Sequence, residues 1–273
     1  MSTVTATRHA SREVKPVTLA RVVLSEWTKL RSLRSTVFSL LAAVVIVIGL
    51  AVLVSSVTVA HWPPKNPAEL AAFDPTSRSL AGIFLAQLAI GVLGILVVTG
   101  EYTTGMIRAS LAAVPTRLPV LTAKTVVFAV TTFVITLPTV LAAFLIGQAI
   151  FSGKNLQTSL GSPGVLRAVV GSALYLTVVG LLGLGLGALL RTTAAAISTL
   201  FGVLLVLPII VRFLPSSWST PIDKYLPSTA GQGIVAVHPD PSTLSPWVGF
   251  ALFCGYAAVV LVAAGVSLVR RDA

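Results

Sequence analysis

Long apolar runs separated by short charged segments dominate the pattern along this chain. Six of them, residues 36–60, 80–99, 125–150, 168–190, 193–211 and 247–269, are each close to the length a helix needs to cross about 30 Å of hydrocarbon. None contains Asp, Glu, Lys or Arg. A backbone amide in hydrocarbon must be bonded within its own segment, so these runs are expected as helices rather than strands. Pro138 and Pro208, in the third and fifth, should kink their helices without breaking them. The expected fold class is therefore all-α: a polytopic membrane protein with six transmembrane helices in one domain, residues 18–271. Residues 1–17 lack periodicity and are expected to form a disordered cytoplasmic tail. No cleavable leader is evident, and the first span should act as its own insertion signal.

Two segments between the runs have a pattern of their own. Across residues 18–34, Leu19, Val22, Val23, Trp27, Leu30 and Leu33 share one helical face, and Arg21, Ser25, Lys29 and Arg31 occupy the rest. A basic amphipathic helix just before a span should lie flat on the lipid surface. Glu26 projects from its apolar side; an ion pair with Lys29 three residues on and a contact with a partner protein both account for that. Residues 101–124, which begin Glu101-Tyr102-Thr103-Thr104-Gly105-Met106-Ile107-Arg108 and end at Lys124, stay half apolar between two spans. They predict a short folded helix starting at Glu101, where a carboxylate suits a helix N-terminus. Met106, Ile107 and Leu111, set between Arg108 and Arg117, call for a cytoplasmic cover.

Within the spans, Gly183 and Gly187 form a small-xxx-small pair that fits either packing inside the subunit or dimerisation. Gln87, Thr131, Thr132, Gln148, Ser172, Thr177 and Ser198 are the polar residues at depth, most of them expected to bond a carbonyl one turn back. Residues 212–245, rich in Pro and Gly, read equally as short re-entrant helices or as a plain external loop.

Composition and charge narrow the picture further. With 55% hydrophobic and 10% charged residues and a mean hydropathy of +0.96, the chain is excluded from ordinary soluble classes. Its net charge of +11 then concerns lipid rather than nucleic acid. With an N-terminus inside, the Lys and Arg residues divide 13 inside to 6 outside, which predicts both termini in the cytoplasm. Trp27, Trp62, Trp218 and Trp247 fall in or beside interfacial segments, as an aromatic belt would place them. Cys254 alone permits no intramolecular disulfide, and His9, His61 and His238 have no metal-ligand spacing and no place at membrane depth for a protease base. The one Gly-Lys pair, Gly153-Lys154, lacks the P-loop pattern, so any ATP would be bound by a partner. Nor does any span carry the acid that ion-coupled carriers commonly use.

Ser25-Glu26-Trp27-Thr28-Lys29-Leu30-Arg31-Ser32 before the first span, Glu101 to Arg108 after the second and Tyr225-Leu226-Pro227 before the sixth together resemble the permease subunits of type-2 ABC exporters, most closely short actinobacterial members. The resemblance implies a connecting helix over residues 18–34, with Glu26, Trp27, Lys29 and Arg31. It implies a coupling helix over 101–111, with Glu101, Tyr102, Thr103, Thr104, Gly105, Met106, Ile107 and Arg108 meeting a cytoplasmic ABC ATPase. It also implies a re-entrant external gate, with Asp223, Tyr225, Leu226 and Pro227. The family usually carries Gly-Thr where this chain has Gly105-Met106. The implied assembly is two permeases, expected as a homodimer, with two ATPases holding ATP and Mg, in the bacterial plasma membrane among lipids and without nucleic acid. The expected function is export of a lipophilic or amphiphilic cargo such as an antibiotic, lipid or peptide, and no cofactor on this chain and no enzymatic activity of its own are expected. The rival expectation is an ion-coupled multidrug carrier in which Gln87 and Gln148 replace a buried acid. A cationic cargo would look to Glu101 or Asp223.

Overall fold

The computed structural model describes residues 18–113 and 117–270, apart from the side chains of Arg108, Ala109, Leu111 and Ala113. The tail 1–17, Pro115, Thr116 and Arg271 lie outside the described residues. Among the described residues every regular element is helical: α1 (Leu19–Ser32), α2 (Arg34–Ala60), α3 (Pro67–Ala71), α4 (Pro75–Ser79), α5 (Ile83–Thr103), α6 (Met106–Ala113), α7 (Leu118–Ser152), α8 (Val165–Leu190), α9 (Thr193–Phe201), α10 (Leu207–Arg212), α11 (Ser216–Asp223), α12 (Pro227–Gln232) and α13 (Pro246–Arg270). A π-helical turn, Gly202–Val206, joins α9 to α10 into one span from Thr193 to Arg212.

The six spans are therefore α2, α5, α7, α8, the α9–α10 unit and α13, each long and apolar enough to cross a membrane. An even number of crossings returns the chain to its starting side. The end that carries α1 and α6 is called the near end here, and the end with α3, α4, α11 and α12 the far end. All six expected runs appear, and three extend by three residues or more past their apolar limits. α5 continues through Glu101 to Thr103, α7 begins at Leu118 and includes Lys124, and α8 includes Arg167. The charged ends of these helices stay helical because each charge finds a partner on a neighbouring element.

Pro138 lies inside a continuous α7, as the sequence predicts. In the fifth span the break takes another form: the π turn precedes Pro208, whose missing N–H and ring already disrupt the i→i−4 ladder there. At the far end, Asn66 caps α3 through Ala68 N at 3.0 Å, and Asp74 caps α4 through Thr76 N at 2.9 Å, each just before a proline at the first helical position.

α8 is the hub. It packs on α5, α7, α13 and α9 and is the most buried span. Its approach to α5 is as close as backbones allow: a methyl at Gly94 would stand 2.0 Å from the carbonyl oxygen of Gly180, and one at Gly183 2.3 Å from that of Gly91. Gly187 likewise faces the Ile95 carbonyl. The small-residue pair is thus covered inside the subunit and leaves no surface for dimerisation. Thr131, Ser172 and Thr177 bond carbonyls one turn back as expected. The glutamines do more: Gln148 ties α7 to Ser79 and to the Thr158 amide, and Gln87 accepts a 2.5 Å hydrogen bond from Tyr175.

The open reading of residues 212–245 resolves into short helices of unequal depth. α11 buries nothing, whereas α12 sinks into the bundle, with Gly231 between the rings of Tyr175 and Phe253 and Ile234 against Gly171. Arg167 fastens the segment by donating to the carbonyls of Ala236 (2.9 Å) and Val237 (3.2 Å).

Replacing Gly94 by Ala should cost about 1–3 kcal/mol, because a methyl would strike rigid backbone. Gly49→Ala, at a helical site with nothing within 4 Å, should leave stability unchanged or raise it slightly. Thermal unfolding of the two variants in detergent checks the contrast.

Candidate functional site, a buried ring of four charges

Three helices bring their charges to one point at the near end. Glu26 and Lys29 come from α1, Glu101 from the last turn of α5, and Lys124 from the second turn of α7. The lysine nitrogens and glutamate oxygens alternate. Lys29 Nζ lies 2.6 Å from Glu26 Oε1, Lys124 Nζ 2.5 Å from Glu26 Oε2 and 2.8 Å from Glu101 Oε1, and Lys29 closes the ring to Glu101 Oε1 at 3.4 Å. Glu26, Glu101 and Lys124 are all but sealed from solvent, with side chains 4–6% exposed, while Lys29 is 21% exposed. Lys29 also donates to Ser110 Oγ at 2.9 Å, which brings α6 into the same network.

Two positive and two negative groups make the ring neutral, and each charge has at least two counter-charges. An isolated buried ion costs several kcal/mol, so no single member is tolerable without the rest. Glu101 carries both of its ion pairs on Oε1, and its Oε2 makes no hydrogen bond among the described residues. Glu101 is accordingly the loosest corner. A void of about 10 Å³, lined in part by Leu30, Val97, Val127 and Phe128, lies beside the ring and is otherwise apolar.

Burial pulls the Lys29 pKa down, but the hydrogen bond to Glu26 and the charge of Glu101 outweigh it, so the group titrates above its ordinary 10.5.

The expected sites divide between the two ends. On α1, Glu26 pairs with Lys29, one of the two roles the sequence left open; its second partner, Lys124, was not foreseen. Of the expected apolar face, Val22 and Leu30 pack on protein, while Leu19, Trp27 and Leu33 are exposed, as is Arg31. The buried seam follows i, i+4, i+8 spacing through Glu26 and leaves the flank of the stripe outward.

The expected helix starting at Glu101 needs correction. α5 runs on through Glu101, Tyr102 and Thr103, the chain turns at Thr104 and Gly105, and α6 starts only at Met106. Gly105 has φ of +72°, a conformation that favours glycine and ends α5 there. Glu101 therefore sits at a helix C-terminus, where the dipole disfavours a carboxylate, and the two lysines offset that. Thr103 and Thr104 bond back to Thr99 and Gly100. Tyr102 lies under the guanidinium of Arg191, 5.4 Å from ring centroid to Cζ. On α6, Ile107 is buried while Met106 is 45% exposed; the Arg108 side chain lies outside the described residues.

Asp223, Tyr225, Leu226 and Pro227 stand at the far end, away from the ring. Asp223 accepts from Thr229 at 3.2 Å, the Tyr225 carbonyl accepts from Tyr256 at 2.8 Å, Leu226 is buried, and Pro227 opens α12. Lys124 and Ser110 are the members that sequence reasoning missed. Lys124 is 98 residues from Glu26, and its one local signal is a cation flanked by Ala123 and Thr125 at the edge of an apolar run. No family model matches the chain, and no curated protein matches it either.

Lys124→Met should destabilise by about 3–5 kcal/mol, since two buried carboxylates would be left with one lysine. Adding Glu26→Gln should cost far less than the sum of the single changes, a coupling that a double-mutant cycle in thermal unfolding detects. The pH dependence has a definite sign. Because the Lys29 pKa is raised on folding, its contribution is fully present below the ordinary 10.5 and is lost as pH rises through the raised value. Melting temperatures of the parent protein should fall in that alkaline range, and a Lys29→Gln variant should lack that component.

Proposed function

We propose that this chain is the membrane-spanning subunit of an ATP-driven exporter, with two copies in the membrane and two copies of a separate ABC ATPase docked on the near end. The ion ring is the observation that carries the reading. It ties α1, α5, α7 and, through Ser110, α6 into one unit, so a push on α6 is delivered to two spans and the surface helix together. A protein that only anchors something has no need for such a coupling. Met106 offers an exposed apolar contact beside the buried Ile107, as a docking helix requires.

In this reading ATP and Mg belong to the partner, which is consistent with a sequence whose only Gly-Lys pair lacks the P-loop pattern. The division of Lys and Arg residues supports a near end and both termini in the cytoplasm, here that of a bacterial cell. Closure of the ATPases would rock α5 and α7 as a body, and α12, wedged against Tyr175 and Phe253, would close the outer side. The apolar spans suit a lipophilic or amphiphilic cargo. Glu101 is occupied by two lysines, which leaves Asp223 as the acid near the path for a cationic one. For an ion-coupled carrier Gln87 and Gln148 would have to bind the ion, yet both hold structural hydrogen bonds to Tyr175, Ser79 and Thr158.

The tagged full-length chain should retain an ATPase from native membranes, and cargo uptake into inverted vesicles should require ATP and survive a protonophore. Met106→Glu should weaken ATPase retention about tenfold, one interface anchor's worth, without altering the melting temperature. Uptake that ignores ATP and collapses with the protonophore would overturn the proposal in favour of the carrier.

A further inference from the structure

A groove of about 650 Å³ runs between the first two turns of α7 and the last three turns of α13. Leu118, Val126, Val262, Val266 and Val269 line it and are each 46–67% exposed, so the wall is aliphatic and open to the surroundings. The two hydroxyls on that wall are turned inward on their own helix: Thr122 donates to Pro119 O and Thr125 to Leu121 O. Gly265 forms part of the floor, where a methyl would already press Leu118 at 3.3 Å. Among the described residues Arg270 is the only charged one in the lining, and it stands exposed in the last turn of α13 at the near end. Beside it, Arg117 donates to the Leu268 carbonyl at 3.1 Å and pins the start of α7 to the end of α13.

At 1.5 Å per residue the groove spans about 12–14 Å along the helices, from Leu118 to Val126 and from Leu261 to Arg270. That is roughly one leaflet of a 30 Å hydrocarbon layer. A helix from a second copy would use the whole length of the spans, whereas this groove covers only about the first quarter of α7 and the last two-fifths of α13. Its length, its aliphatic wall and the Arg270 cation at its outer end match an amphiphile with an anionic head. We infer that the α7–α13 groove is a binding site for an anionic phospholipid of the near-end leaflet, with acyl chain along the valines and phosphate at Arg270. The inference does not depend on transport, and no ATPase is needed to test it.

The probe is the full-length protein reconstituted in vesicles of equimolar phosphatidylglycerol and phosphatidylcholine, re-extracted in mild detergent, with retained lipid read by native mass spectrometry. Phosphatidylglycerol should be retained over phosphatidylcholine by about fivefold, the preference that one cation at an anionic surface confers. Arg270→Ala should bring the ratio to that of the bulk lipid. Val266→Trp, which fills the groove from an exposed position, should lower retention of both lipids. Lys224→Gln at the far end should change neither. Equal retention of the two lipids by the parent protein would overturn the inference, as would a preference that survives both Arg270→Ala and Val266→Trp.

Discussion

Four charges, three of them buried and Lys29 partly so, have to be satisfied together at the edge of the apolar spans, and the near end of this protein is arranged around that requirement. Glu26, Lys29, Glu101 and Lys124 come from three helices, and removing any one leaves an ion that the surroundings cannot solvate. The ring sets how α1 lies across the start of α7, how far α5 continues before it turns, and where α6 begins. It also explains why α1 buries a glutamate in the middle of its packed seam: Val22 and Leu30 pack on apolar side chains, while Glu26 supplies two of the four ring contacts. The ring specifies one register between α1, α5 and α7, because neutrality is lost if any of them slides by a residue.

The middle of the bundle uses a different device. There no charge is available, and α5 and α8 are held by backbone-to-backbone approach at Gly91, Gly94, Gly180 and Gly183. Lipid tails are as apolar as leucine, so close packing rather than water exclusion holds helices together at this depth. At the far end polar contacts return as hydrogen bonds: Tyr175 joins Gln87 to Gln232, and the Arg167 guanidinium donates to carbonyls of the segment after α12. The near end is held by paired ions, the far end by a short helix and hydrogen bonds. That difference in bonding suits a machine driven from one side and opened on the other, as proposed above.

Much of the architecture was legible in the order of the residues. Uncharged apolar runs of membrane-spanning length leave the backbone no choice but helices, whereas the caps at Asn66 and Asp74 and the stop at Gly105, local as their chemistry is, were not anticipated. The amphipathic pattern of α1 was equally local, and so was the Glu26–Lys29 pair at i, i+3. Glu101 was misplaced for the same reason. Beside a possible turn a glutamate looks like a helix start, and only the continued winding of α5 against α8 and α7 shows that it belongs to a helix end. The glycine pair on α8 could not declare whether it faces its own subunit or another, because spacing carries no information about what lies opposite.

The sequence by itself therefore determined the number of spans, the all-helical class, the basic bias of the near-end segments and the local caps and breaks. Each of these depends on groups within a turn or two of one another, or on composition summed along a run. Tertiary structure alone decided that Lys124 meets a glutamate 98 residues away, that Ser110 joins α6 to the ring, that α12 sinks beside Tyr175, and that an aliphatic groove ends at Arg270. Those outcomes depend on which helix faces are brought together, and facing is set by packing and charge balance over the whole bundle.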